Sequence, residues 1–297
     1  MITFSYQNFV AILKAFPLCP KPKALGVKHI PFNEPVLYVY NHVTRRAEPL
    51  FLGLAAPSSP PIRFLAEITL LGDYLLERTR KDIINSVFST TFQMRIKRNI
   101  IIHFLFEKMV NILTKYFIAQ MKKFKVIPVY LHEPSAKEER LVKRRINRQA
   151  LVDCLASLEA HIPLAIAPSG GSTYEEAENA AIGTIVPTLA SFLYRRGKIV
   201  KIIPCVIQEK PPVTKKTYGH YLADRIFLFC LLKKILSRLE EREYQRPRVT
   251  VQFLPPLTFP YPYPSKAEKI AFVHKLQKMM FEALNSHSTS TEQITAY

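Results

Sequence analysis

Acidic residues are the scarce class in this chain. Its 297 residues carry 23 Asp and Glu against 42 Lys and Arg, a formal net charge of +19. Such an excess favours an acidic partner, whether nucleic acid, an anionic membrane, an acidic protein or a phosphorylated metabolite, and charge alone does not choose among them. Cysteines are few. Cys19, Cys154, Cys205 and Cys230 are widely spaced and form no C-x-x-C pair, which argues against a zinc site. Cys205 sits in an apolar run and reads as a small buried hydrophobe, so reduced thiols in a cytosolic-type compartment are expected. No apolar run approaches the roughly 18 residues that cross a bilayer. The longest, 226–232 and 100–106, are far shorter, and Lys233-Lys234 closes the first. Residues 1–16 are mildly amphipathic but show neither a basic n-region ahead of an apolar core nor a small-residue cleavage site, so no signal peptide is expected. The expected location is cytoplasmic, in solution or peripheral on a membrane. Glycine is also scarce, eight in all, which gives weight to the adjacent pair Gly170-Gly171.

What is present is an alternation of strand and helix signals. About half of the chain (48%) is hydrophobic, enough for one large domain or two small ones. Short runs rich in β-branched residues and tyrosine occur at 36–40, 126–130, 164–167, 200–207 and 249–254, with a weaker one at 62–66. Most are bounded by Pro, Gly or Asn, as strands are. Helical patterning separates them, as at 148–160 and 185–195. This order predicts an α/β fold, with a central, mostly parallel mixed sheet flanked by helices. The last helix is well marked. Ser265 and Glu268 are spaced as a capping box ahead of the apolar series Phe272, Leu276, Met279 and Ala283. Residues 73–123 carry helical patterning with many Arg and Lys and read as a helical insertion. The expected organisation is an N-terminal helical segment (1–28), a main domain (29–284) and a disordered polar tail (285–297).

Ligands of an open α/β sheet bind beyond the carboxyl ends of its strands. Two predicted strand ends bear chemistry. The first leads into Asn41-His42 and, after Val43-Thr44-Arg45-Arg46-Ala47, into Glu48-Pro49. A strand-end His with a carboxylate one or two turns on can serve as a general base, the carboxylate orienting the ring and stabilising its cation. Spacing alone favours a plainer reading, a helix-capping Asn beside an incidental His. The second strand end leads into Pro168-Ser169-Gly170-Gly171-Ser172, a tight turn whose successive N–H groups can form an anion-binding concavity, or an ordinary loop. It does not match G-x-x-x-x-G-K, which argues against a nucleotide P-loop. The basic run Lys143-Arg144-Arg145-Ile146-Asn147-Arg148 lies at a predicted helix start. It suits phosphate, an acidic carrier or lipid headgroups, or is a solvated helix face.

In this order the two strand ends resemble those of the glycerolipid acyltransferase superfamily, whose first motif is N-H-x-x-x-x-D and whose third is a Pro-containing turn. The soluble glycerol-3-phosphate acyltransferases of plastids and some bacteria are the most similar branch, with an N-H-Q-x-E-A-D-P type first motif and an A-P-S-G-G turn. Ile166-Ala167-Pro168-Ser169-Gly170-Gly171 is similar to that turn. Ile127-Pro128-Val129-Tyr130 is similar to a strand of the branch, the basic run at 143–148 to its K-R-K-A-N, and Ile202-Ile203-Pro204-Cys205-Val206-Ile207 followed by Lys210-Pro211-Pro212 to a Y-P-L-A-L-L strand and loop. The likeness covers roughly 28–215 without the helical insertion. It implies O-acyl transfer from an acyl carrier protein or coenzyme A thioester to a hydroxyl of glycerol 3-phosphate or a related glycerolipid. His42 would then be the general base and Glu48 its orienting partner. Ser169, Gly170, Gly171 and Ser172 would line the acceptor site, with Arg45, Arg46, Arg145, Arg148 and His132 as the cationic groups available to it. No metal and no bound cofactor are implied.

The chain departs from the branch in three places, one being that only His132, out of register, stands where the branch has a Lys-His pair after the strand ending at Tyr130. Five residues, not four, separate His42 from an acidic residue, and that residue is Glu. The branch's R-x-R after P-S-G-G, the natural fork for phosphate, is replaced by Ser172-Thr173-Tyr174. These departures motivate two alternatives, a lysophospholipid acyltransferase and a catalytically impaired relative that binds membranes or a carrier. A nucleic-acid-binding reading rests on charge alone, because aromatics are not interleaved with the basic runs.

Overall fold

The computed structural model describes residues 22–41, 48–56, 62–67, 126–129, 137–167, 184–210 and 248–292, together with 104, 108 and 111. The chain divides into two compact units. One comprises 1–20, 66–126 and 209–248, most of it outside the described residues. The expected helical insertion falls there; Phe104, Lys108 and Asn111 are helical, with the Lys108 ammonium 4.6 Å from the Phe104 ring centroid, and the rest of 73–123 lies outside the described residues.

The other unit, 21–65, 127–208 and 249–297, is the α/β core. Among the described residues seven strands form its sheet: β1 (Lys23–Leu25), β2 (Val36–Tyr40), β3 (Arg63–Glu67), β4 (Ile127–Val129), β5 (Leu164–Ile166), β6 (Lys201–Lys210) and β7 (Arg248–Phe253). Their spatial order is β1-β7-β6-β2-β5-β3-β4. The pairs β2–β5, β2–β6, β3–β5 and β1–β7 are parallel. The chain leaving β7 runs against β6, with Leu254 N–H on Pro204 O at 2.9 Å and an antiparallel bridge between Ile202 and Leu257, so the sheet is mixed. Among the described residues the helices are α1 (Glu48–Ala55), α2 (Lys137–Glu159), α3 (Ile185–Arg195) and α4 (Lys266–Glu292).

The buried strands read as continuous apolar runs because helices cover the sheet. All five residues of β2 and all three of β5 are buried. Their side chains still alternate. Leu37, Val39, Leu164, Ile166, Ile202 and Val206 point to one face and join α2, α3 and α4 through Cys154, Leu158, Leu189, Leu193, Leu276 and Met280. Tyr38 belongs to the other face, where its ring lies 6.0 Å from that of Phe253. Arg63 ties the start of β3 to its neighbours: its N–H donates to Pro163 O (2.8 Å) and its guanidinium to Ser157 Oγ (2.6 Å), which itself donates to Asp153 O (2.6 Å).

Three boundaries differ from those expected. The expected N-terminal helical segment contains β1, which pairs with β7 from Lys23↔Thr250 to Leu25↔Gln252. A three-residue strand has no readable period, and its partner lies more than two hundred residues away in sequence. Gly26 makes the turn after it at φ +68, and a Cβ there would meet Phe253 O at 2.1 Å; His29 Nδ1 is 2.9 Å from the same carbonyl, which makes the protonated nitrogen the donor. α2 starts well ahead of 148, so the basic run lies inside the helix and not at its start. α4 runs past 284 to Glu292, with Ser286 Oγ donating to Ala283 O at 3.1 Å, where a disordered tail was expected; residues 293–297 lie outside the described residues. Its capping box is formed: Glu268 N–H donates to Ser265 Oγ (3.2 Å) and Ser265 N–H to Glu268 Oε2 (2.7 Å).

Candidate active site at the carboxyl edge of the sheet

β2 is the central strand of the candidate site. It pairs in parallel with β5 on one side, Val39 opposite Ile166, and with β6 on the other, Tyr40 opposite Cys205. Parallel neighbours end at the same edge of a sheet. The segments that begin at His42 and at Pro168 therefore leave from adjacent strands at one carboxyl edge. His42, Arg45, Arg46, His132, Ser169, Gly170, Gly171 and Ser172 lie outside the described residues. Glu48 opens α1, and Pro49 occupies its first turn, where a missing N–H leaves no intrahelical bond unmade.

Asn41 is among the described residues of this edge, and sequence reasoning gave it no part in the site. Asn41, immediately ahead of His42, turns its carboxamide to β6. Its Nδ2 donates to Ile207 O at 2.9 Å and its Oδ1 accepts from Ile207 N–H at 2.7 Å. The physical reason lies in the ladder. In a strand, the N–H and C=O of one residue point the same way, and successive residues alternate. Along β6, Lys201 N–H reaches Pro35 O on the β2 side, while Ile202 N–H reaches Leu257 O on the opposite side. Ile207 has the parity of Lys201, so both of its backbone groups turn toward β2. β2 ends at Tyr40, and a carboxamide, with one donor and one acceptor, supplies the rung that the backbone no longer does. A strand-end Asn among buried apolar residues is the sequence signal for such a lock.

β6 is held from α4 as well, where Gln208 Nε2 donates to Leu284 O at 2.9 Å. The position directly before His42 is thus fixed to the sheet. Arg145 and Arg148 are described, and both are exposed. Arg145 is nine residues from the buried Cys154, half a turn around α2 at 100° per residue, on the face turned from the core. Lys143 and Asn147 are half-buried.

The buried ionisable groups near the strands favour their neutral forms. Burial pushes the Cys154 thiol up to about 12, with the Arg63 guanidinium opposing the shift and Asp153 adding to it. Burial raises the Cys205 thiol well above its ordinary value, and its Sγ donates to Ile203 O at 3.3 Å. Tyr38 is raised by burial, with the neighbouring Cys205 adding to the shift. None of these is a nucleophile at neutral pH. Among the described residues no cluster of His, Cys, Asp and Glu could hold a metal ion, and no helix is long and apolar enough to cross a membrane.

No family model matches the chain, no curated protein matches it, and no solved structure matches it.

Proposed function

We propose that this protein is an O-acyltransferase that moves a fatty acyl group from a thioester of acyl carrier protein or coenzyme A to a hydroxyl of glycerol 3-phosphate or a related glycerolipid. The observation that supports this reading is the parallel register of β2 and β5, whose ends lead to Asn41-His42 and to Pro168-Ser169-Gly170-Gly171 at one sheet edge. In the proposed step His42 takes the hydroxyl proton, and the oxygen attacks the thioester carbonyl. The tetrahedral intermediate collapses, the carbon–sulfur bond breaks, and the imidazolium returns the proton to the departing thiolate. Glu48 orients His42. Backbone N–H groups of the Gly170-Gly171 turn hold the developing oxyanion or the acceptor phosphate.

The test is release of free thiol from acyl-CoA and acyl carrier protein thioesters, with glycerol 3-phosphate or a lysophospholipid as acceptor, for wild type and His42→Ala. Turnover that disappears in the variant is expected. An active wild type with an equally active variant refutes His42 as the base. Preference for the lysophospholipid is the outcome that the loss of R-x-R, replaced here by Ser172-Thr173-Tyr174, favours. Binding to liposomes without turnover for any donor and acceptor supports the impaired, membrane- or carrier-binding alternative.

A further inference from the structure

The outer face of α2 combines two properties that rarely share a surface. Leu141, Val142 and Val152 are 61%, 50% and 51% exposed, although the core of the unit lies against the same helix. Arg144, Arg145 and Arg148 are exposed among them. The spacing explains the face. Taking Cys154 as the centre of the buried side, Leu141, Arg145, Arg148 and Val152 all fall roughly 120–180° away at 100° per residue. From 140 to 152 the helix carries no acidic residue. It is a convex ridge in which aliphatic tips alternate with guanidinium groups.

We propose that this ridge is a docking surface for an anionic lipid bilayer. The charge complementarity is direct, because guanidinium groups bind lipid phosphates in forked geometry. The aliphatic tips need an apolar partner within the same few ångströms of depth, and the headgroup–acyl boundary offers both at once. A convex ridge has no pocket to receive side chains of a folded protein, whereas a bilayer conforms to it. Arginine stems also lie along apolar surface while their heads stay with the phosphates. The proposal does not depend on acyl transfer: binding is measured without any acyl donor, so failure of one reading leaves the other standing.

The experiment is co-sedimentation of the full chain with vesicles of phosphatidylcholine containing phosphatidylglycerol, and with vesicles of phosphatidylcholine alone. Wild type is expected to bind the anionic vesicles, more weakly as salt rises. Charge reversal at Arg144, Arg145 and Arg148 is expected to reduce the partition coefficient by roughly tenfold or more. The same change at Lys266, Lys275 and Lys278, exposed on α4, controls for overall charge and is expected to have the smaller effect. Leu141→Ser with Val152→Ser weakens binding with no change of charge, which separates insertion from plain attraction. Far-UV circular dichroism and thermal melts identify any variant that misfolds, and Arg145→Gln with Arg148→Gln is the milder substitute. Equal losses from the α2 and α4 reversals overturn the proposal, as does a wild type that ignores anionic vesicles. Retention of an acidic acyl carrier protein by this face, in a chain that does not bind vesicles, overturns it in favour of a protein partner.

Discussion

Replacing Asn41 by Ala removes both hydrogen bonds of the strand-end lock and leaves the Ile207 N–H and C=O without their partner. The bonds measure 2.9 and 2.7 Å and lie partly buried between β2 and β6. At a net ~0.5–1.5 kcal/mol per bond, the loss is about 1–3 kcal/mol. For a unit of this size that corresponds to a fall in Tm of roughly 2–12 °C, taking ~2–4 °C per kcal/mol. A global melt does not locate the loss, so the decisive assay is amide hydrogen exchange at Ile207. Its N–H donates to Asn41 Oδ1, and its protection should collapse in the variant. The amide of Ile202, bonded to Leu257 O at 2.8 Å, should keep its protection. Asn41→Asp retains the acceptor, but as a carboxylate it no longer donates to Ile207 O and sets an anion beside that carbonyl. Its protonated form restores a donor, so the folded-state pKa of the new carboxyl is expected above the unfolded value of about 3.9. The sign follows: the stability contributed by the protonated form is fully present below that unfolded value and lost as pH rises through the folded one. The Asp variant is therefore expected to approach wild type in acid and to depart from it toward neutrality. An Ala variant with unchanged Tm and a still-protected Ile207 amide would refute the lock and the argument that it fixes the start of the His42 segment.

Three further outcomes follow from the same geometry. Gly26→Ala places a Cβ 2.1 Å from Phe253 O at φ +68; left-handed backbone alone costs ~1–2 kcal/mol, so the unfolding free energy from denaturant titration should fall by more than that, with β1 released from β7. Cys154, pushed up to about 12, and Cys205, raised well above its ordinary value by burial, should resist iodoacetamide at pH 8 in the native protein and react after unfolding, as peptide mass spectra will read. Glu268 is held below its ordinary value, first by the Ser265 backbone N–H and then by its side chain. Its contribution is thus present above the ordinary carboxylate pKa and lost as pH falls through the lowered one. Glu268→Gln should flatten the pH dependence of exchange in the first turn of α4 over that interval.

The strands of the core were legible because burial on both faces forces apolar β-branched composition. The segment 36–40 is β2 as read, and 185–195 is α3 as read. The failures share a cause. β1 and the start of α2 are decided by partners remote in sequence or by solvated charge, and neither leaves a local period. In α2 the run 140–149 contains no buried residue, and Ala150, which follows it, is buried, so the apolar signal begins where the helix meets the core and not where it starts. At the candidate site, the motif order was visible, whereas the Asn41 lock needed the register of β6. A carboxamide is read as a cap when its neighbour is unknown.

That register also explains why a proline is tolerated inside β6. Pro204 O accepts from Leu254 N–H at 2.9 Å, so Pro204 has the parity that faces away from β2. Its missing N–H therefore removes nothing from the β2–β6 ladder, which runs without a gap from Val36↔Lys201 to Tyr40↔Cys205 and is continued by Asn41 on Ile207. One residue earlier, a proline would face β2 and break the ladder that carries the His42 segment. Ile203→Pro should accordingly lose roughly 1–3 kcal/mol, the cost of a ladder hydrogen bond removed and a buried carbonyl left unpaired, beyond Ile203→Ala, which accounts for the lost buried side chain at ~2–5 kcal/mol. Urea unfolding of the two variants measures the difference, and equal midpoints would mean that β6 does not depend on this parity. The pairing of a proline at 204 with an asparagine at 41 is thus one constraint: the strand spends its missing donor on the side where β2 does not need it and keeps Ile207 available for the residue before His42.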